Sequence, residues 1–105
     1  MPTTSIDDSQ KVERVIVQTF MKELCRRDDE NNHDIDSQSN QRLTIFSIEE
    51  IRQAVLSEYS LDLVKRALRG YMFENIGNDP LELLDADANV RLADVGRARC
   101  HEYSM

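Results

Sequence analysis

The stretch LELLDADANVRLADVGRARC, residues 81–100, holds the side chains best suited to gripping an ion, because Asp85, Asp87 and Asn89 fall at alternate positions. Oxygen ligands at the first, third and fifth positions begin an EF-hand calcium loop, which also needs glycine at the sixth and a bidentate glutamate at the twelfth. This chain supplies Val90 and Gly96 at those two places. Without the sharp turn and the two-oxygen ligand no metal site is expected, and Asp and Asn suit a hairpin bend instead.

Other reactive groups are sparse. The histidines are His33, in a polar stretch, and His101, beside Cys100. A nucleophile needs a base within hydrogen-bond reach, and neighbouring residues on a helix point in different directions, so Cys100 and His101 do not make a dyad. The order Cys25, His33, Cys100, His101 lacks the paired short spacings of a structural zinc site. No glycine-rich phosphate loop is present. The expectation is a protein without catalytic residues, metal or cofactor. The two cysteines are read as thiols packed in separate helices, with a disulfide the lesser alternative, since nothing in the sequence suggests secretion.

The remaining chemistry is charge. Acidic residues outnumber basic ones, 20 to 13, for a net charge of −7. Such a field repels polyanions unless cations gather on one face. They do gather on a helix expected over 60–74: Asp62, Lys65, Arg66, Arg69 and Phe73 share the side opposite a stripe of Leu61, Val64, Leu68, Tyr71 and Met72.

The elements that must position this face are legible from spacing. Residues 1–8 read as a loose tail, and 9–105 as a single domain, since 105 residues bury one modest core. A first helix is expected over 9–27, with Val12, Val15, Ile16, Phe20 and Leu24 in one stripe and Val17, Met21 and Cys25 in a second. Two stripes require cover on two sides, by the domain and by a partner. A polar loop at 28–41 follows; its acids Asp28, Asp29, Glu30, Asp34 and Asp36 have no regular ligand spacing. A short strand starts at Leu43. Ser47 and Glu50 then form a capping box for a helix over 47–56, with Ile48, Ile51 and Val55 inward. Ser57, Glu58 and Tyr59 make a tight turn, and Ser60 caps the helix over 60–74. After a turn at Gly77, Asn78, Asp79 and Pro80, two strands over 81–84 and 89–93 lead into a final helical segment near Asp94.

The order helix, strand, helix, turn, helix, hairpin resembles the winged helix-turn-helix family over roughly residues 9–103. VRLADVGRARC looks like the end of the wing in bacterial and archaeal members, where Leu-Thr-x-x-Gly-Arg is common; Leu92, Gly96 and Arg97 match and Ala93 replaces threonine. The resemblance implies an α+β, mostly α fold: a three-helix core, a two-stranded β-wing and a C-terminal helix. It also implies a DNA-binding transcriptional regulator with helix 60–74 in the major groove. Ser60, Lys65, Arg66 and Arg69 would be its contacts, and Arg91, Arg97 and Arg42 would touch phosphate. Against this, Asp85 and Asp87 put negative charge at the wing tip, which favours the alternative of a protein–protein interaction module that binds no DNA.

The doubly apolar first helix and the C-terminal helix, with Tyr103 and Met105, are expected to pack across a two-fold axis, giving a homodimer that presents two recognition helices. MPTTSIDDSQ lacks the pattern of a signal peptide, and no stretch is long enough to cross a bilayer, so a cytoplasmic protein without membrane contact is expected.

Overall fold

The computed structural model describes residues 3–33 and 45–103, with the side chains of the first helix given over 10–30. The elements in chain order are α1 (Thr3–His33), β1 (Ile45–Ser47), α2 (Ile48–Val55), α3 (Leu61–Glu74), β2 (Leu81–Leu84), β3 (Asn89–Leu92), α4 (Asp94–Ala98) and α5 (Cys100–Tyr103). The fold is α+β and mostly helical, with one small antiparallel sheet.

Local chemistry places the short elements where the spacing put them. The Ser47 hydroxyl accepts from the Glu50 amide and starts α2, and the Ser60 hydroxyl accepts from the Leu63 amide and starts α3. The turn between these helices is braced by Arg52, whose guanidinium grips Glu49 and also donates to the Tyr59 carbonyl at 2.7 Å. The sheet has the order β1-β3-β2, with Phe46 and Leu83 both opposite Val90. β3 is therefore central, and its alternate residues Val90 and Leu92 reach the core. The strand at the first position is Ile45–Ser47; Leu43 and Thr44 lie outside the described residues.

The largest departure from the sequence reading is α1. It begins at Thr3, inside the stretch read as a tail, and continues to His33, through the first part of the polar loop. Two kinds of contact hold the C-terminal part of the helix. Along the helix, Glu23 pairs with Arg26 and Arg27, each at 2.7 Å, and Arg26 pairs with Glu30 at 2.6 Å. The guanidinium of Arg26, hydrogen-bonded to Glu23, holds that carboxyl below its ordinary value. Across the fold, Asp28 pairs with Arg97 and Cys25 is joined to Cys100. The rest of the expected loop, including Asp34, Ile35 and Asp36, lies outside the described residues.

Both apolar stripes of α1 are covered within one chain. Ile16, Phe20 and Leu24 are fully buried, and so is Met21, while Val17 and Cys25 are each 8% exposed. α1 meets α2 and α3 as well as α5. The second stripe thus finds its cover in the C-terminal segment, which removes the reason for expecting a dimer through the first helix. Val15 departs in the other direction: its spacing suggested the core, but it is 49% exposed.

The disulfide also corrects the expectation of two separate thiols. Cys25 and Cys100 lie 75 residues apart in sequence and 5.7 Å apart at Cα, within bonding geometry for a cystine. A cross-link closing a loop of that length stabilises a fold by roughly 4 kcal/mol on the chain-entropy account.

α4 is seated by close approach. Gly96 is buried, and a Cβ there would overlap the Pro80 carbonyl oxygen and press on Leu92. The same carbonyl accepts from the Ala93 amide at 3.0 Å, so Pro80 fixes both the end of the hairpin and the start of α4. Gly96→Ala is expected to lower the unfolding free energy by about 1–3 kcal/mol, read from urea denaturation. An unchanged midpoint would mean that α4 can lift from Pro80 without loss.

Candidate recognition surface

The outer face of α3 is built as its spacing suggested. Val64, Ala67 and Leu68 are buried against the core, while Asp62, Arg66, Arg69 and Phe73 stand exposed on the other side. Lys65 lies at the edge of that face, partly covered, close enough to Glu49 for its charge to act on that carboxyl. Glu49 is pulled down to about 2, chiefly by its hydrogen bonds from Arg52 and Gln53. One further exposed residue escaped the periodicity argument. Ile76, just past the end of α3, is 71% exposed, and Phe73, three residues before it, is 74% exposed. A helix-based pattern ends at the cap, which is why Ile76 gave no signal.

The hairpin folds its acidic tip onto this face. Asp85, Ala86 and Asp87 all have left-handed backbone, with φ of 53°, 56° and 69°. Asp and Asn tolerate that region better than other non-glycine residues, and here the turn aims two carboxylates at different partners. Asp85 accepts from the Asn89 side chain at 2.7 Å, and Asp87 accepts from Arg69 of α3, also at 2.7 Å. The carboxylates that resembled the start of a calcium loop therefore diverge. Among the described residues no three His, Cys, Asp or Glu side chains gather as a cation would require, and the two sulfurs are bonded to each other instead of free as ligands.

The residues nominated for DNA contact do not form one basic surface. Ser60 spends its hydroxyl on the α3 cap. Arg69 is paired with Asp87, and Arg91 is paired with Glu82, its cross-strand neighbour on β2. Arg97 turns inward: its Nη2 donates to Asp28 at 2.9 Å and its Nε at 3.2 Å, and the Asp28 side chain is only 6% exposed. Arg42 lies outside the described residues. Lys65 and Arg66 are left as neighbouring cations on α3. The Gly96-Arg97 pair thus serves packing, with Gly96 against Pro80 and Arg97 against Asp28.

Behind the same helix, a second polar network grips its C-terminal turn. Arg99 donates to the Asn75 side-chain oxygen at 3.0 Å and to the Tyr71 hydroxyl at 3.3 Å, and Asn75 donates to the Tyr71 carbonyl at 2.7 Å. The hydroxyls of Tyr71 and Tyr103 are hydrogen-bonded to each other. These two rings close one side of a cleft of about 410 Å³ between α1 and α3, which Gln10, Arg14 and Glu74 also line. Burial, followed by the bond to Tyr71, raises the Tyr103 phenol above its ordinary value of 10.0.

Two outcomes are expected from these contacts. A double-mutant cycle of Asp28→Ala with Arg97→Ala is expected to return a coupling of about 1–3 kcal/mol, because removing either partner strands a charge in a poorly solvated place. Additive single effects would show that the pair contributes nothing beyond its two parts. A phenol whose folded value lies above its unfolded one contributes stability that is complete below about pH 10 and fades as pH rises through the folded value. Alkaline denaturation should accordingly be shallower for Tyr103→Phe than for the wild type. Comparison of the chain with family models, with curated proteins and with solved structures gave no match.

Proposed function

We propose that this chain is a winged-helix interaction module whose α3 face and hairpin receive a protein partner carrying apolar and basic side chains. The element order and the sheet order β1-β3-β2 support the winged-helix reading: hairpin β2–β3 is the wing, and α3 takes the place of the recognition helix. The observation that carries the protein-binding reading lies at the C-terminal end of α3. Phe73 and Ile76 are there, 74% and 71% exposed, with Phe73 on the same side of α3 as Arg66 and Arg69. Neighbouring exposed apolar residues are anchors for protein, whereas phosphate contact calls for cations. Exposed Glu74 and Asp79 flank them, and the net charge of −7 favours a basic partner over a polyanion.

A second reading, duplex DNA binding in transcription regulation, is favoured by Lys65 and Arg66 on the same face. The Arg69–Asp87 pair does not bar it outright, since an exposed ion pair is worth at most about 1 kcal/mol and a phosphate could displace the carboxylate. The cost falls on the whole site: the wing tip keeps its two aspartates, and Arg91 and Arg97 are engaged elsewhere.

The two readings separate in one set of titrations of the full chain, against a synthetic amphipathic peptide of leucine and lysine and against mixed-sequence duplex DNA, across a salt series. The protein reading expects peptide binding that maps by NMR to 73–76 and weakens at least about tenfold in Phe73→Lys and Ile76→Lys, a loss of roughly 1.4 kcal/mol. DNA binding should be negligible near physiological ionic strength. DNA affinity that falls steeply with salt and is abolished by Lys65→Glu with Arg66→Glu, without a peptide response at 73–76, would replace the first reading with the second.

A further inference from the structure

We infer that the Cys25–Cys100 bond is a redox-sensitive clasp that sets the C-terminal turn of α3, and with it the apolar end of the proposed recognition surface. The regulatory meaning of this clasp rests on the protein-binding reading of that surface, whereas its mechanical part stands on contacts within the chain.

These two residues are the only cysteines of the chain, and they join its first helix to its last. The bond is unevenly sheltered: Cys25 is buried at 8% exposed, while Cys100 is partly exposed on the short α5. A thiolate from solvent can therefore reach the Cys100 sulfur more readily than that of Cys25. In an oxidising compartment such a bond would persist, and in a reducing one it would form and break with the thiol pool.

What the bond holds is the segment that grips α3. Arg99, one residue before Cys100, reaches Asn75 and Tyr71, and Tyr103, three residues after it, bonds to Tyr71. Asn75 is the C-cap of α3 and donates in turn to the Tyr71 carbonyl. Phe73 lies between these two gripped positions and Ile76 follows immediately. α5 has four residues, too few to hold a helical conformation by its own hydrogen bonds. Its position therefore depends on what anchors it, and the covalent anchor is the disulfide. α4 has a separate anchor in Arg97–Asp28 and in Gly96 at Pro80, so release of α5 does not require α4 to leave.

The chemistry is a two-electron exchange with a dithiol. One thiolate of the reagent attacks the Cys100 sulfur, the bond to Cys25 breaks, and Cys25 departs as a thiolate that takes up a proton. The second thiolate then attacks the reagent's own sulfur in the mixed disulfide, and Cys100 is freed as a thiolate and protonated. The reagent ends as its cyclic disulfide and the protein as two thiols.

The test uses the full chain with dithiothreitol as the dithiol, and it needs no partner, so its outcome is independent of whether the protein-binding reading holds. Amide spectra and heteronuclear NOE values are compared between the oxidised protein and the protein shown by mass to have gained two hydrogens. Reduction is expected to shift the signals of 71–76 and 99–103 and to lower their NOE values, while α2 and the three strands keep their positions. Arg99→Met, which leaves the disulfide intact, should reproduce the shifts at 71–76 in the oxidised state. Three results would overturn the clasp: perturbation confined to Cys25, Cys100 and their immediate neighbours; collapse of the whole spectrum on reduction, which would make the bond a general staple; or an Arg99→Met spectrum unchanged at 71–76.

Discussion

Asp28 sits near the end of α1 with a side chain only 6% exposed, and a polar group so placed must find partners within the fold. Arg97 comes from 69 residues further along the chain. To reach Asp28 it must be carried on α4, α4 must start directly from β3, and Gly96 must lie flat on the Pro80 backbone so that the helix can approach closely enough. The hairpin, α4 and the far end of α1 thus have mutually dependent positions. The disulfide closes the same circuit one turn further along, from Cys25 to Cys100. Without Asp28, α4 would keep only its seat at Pro80, while α5 would stay tied to α1 by the disulfide and keep covering the second apolar stripe.

Among the described residues, several arginines are spent internally. Arg26 and Arg27 serve Glu23, Arg52 serves Glu49 and a turn carbonyl, Arg69 serves Asp87, Arg91 serves Glu82, and Arg97 serves Asp28. Most of these pairs are part-buried, with one partner more open to solvent than the other. Their common effect is on the field: acids neutralise the arginines that a polyanion would need, and the surplus acids set the sign of the surface. Phe73 and Ile76 stand exposed at the C-terminal end of α3, beyond Arg69, which Asp87 answers.

The helices α2 and α3 and the hairpin were legible because their signals are local. A serine three residues before the amide it caps, a leucine every third or fourth place, or two aspartates at a bend act within a few residues of themselves. Ser47, Ser60 and the strands at 81–84 and near 89–92 accordingly stand where the spacing put them. The outer face of α3 was legible for the same reason, down to Phe73. The extent of α1 was not, because a polar run such as RRDDENN reads as loop until its distant partners are known. Helical pairs Glu23–Arg26 and Arg26–Glu30 were visible in principle as spacing of three and four.

The sequence by itself determined the order of elements, the caps, the inward stripes apart from Val15, and the side of α3 that meets solvent. Tertiary structure decided what several of these residues are for: Arg97 and Gly96 hold α4 in place, Arg69 answers the tip of the hairpin, and the two cysteines join the first helix to the last. The division follows from distance along the chain. Periodicity and capping are properties of neighbours, whereas the partner of a long side chain depends on which segments the core brings together, and separations of 69 and 75 residues leave no trace in local spacing.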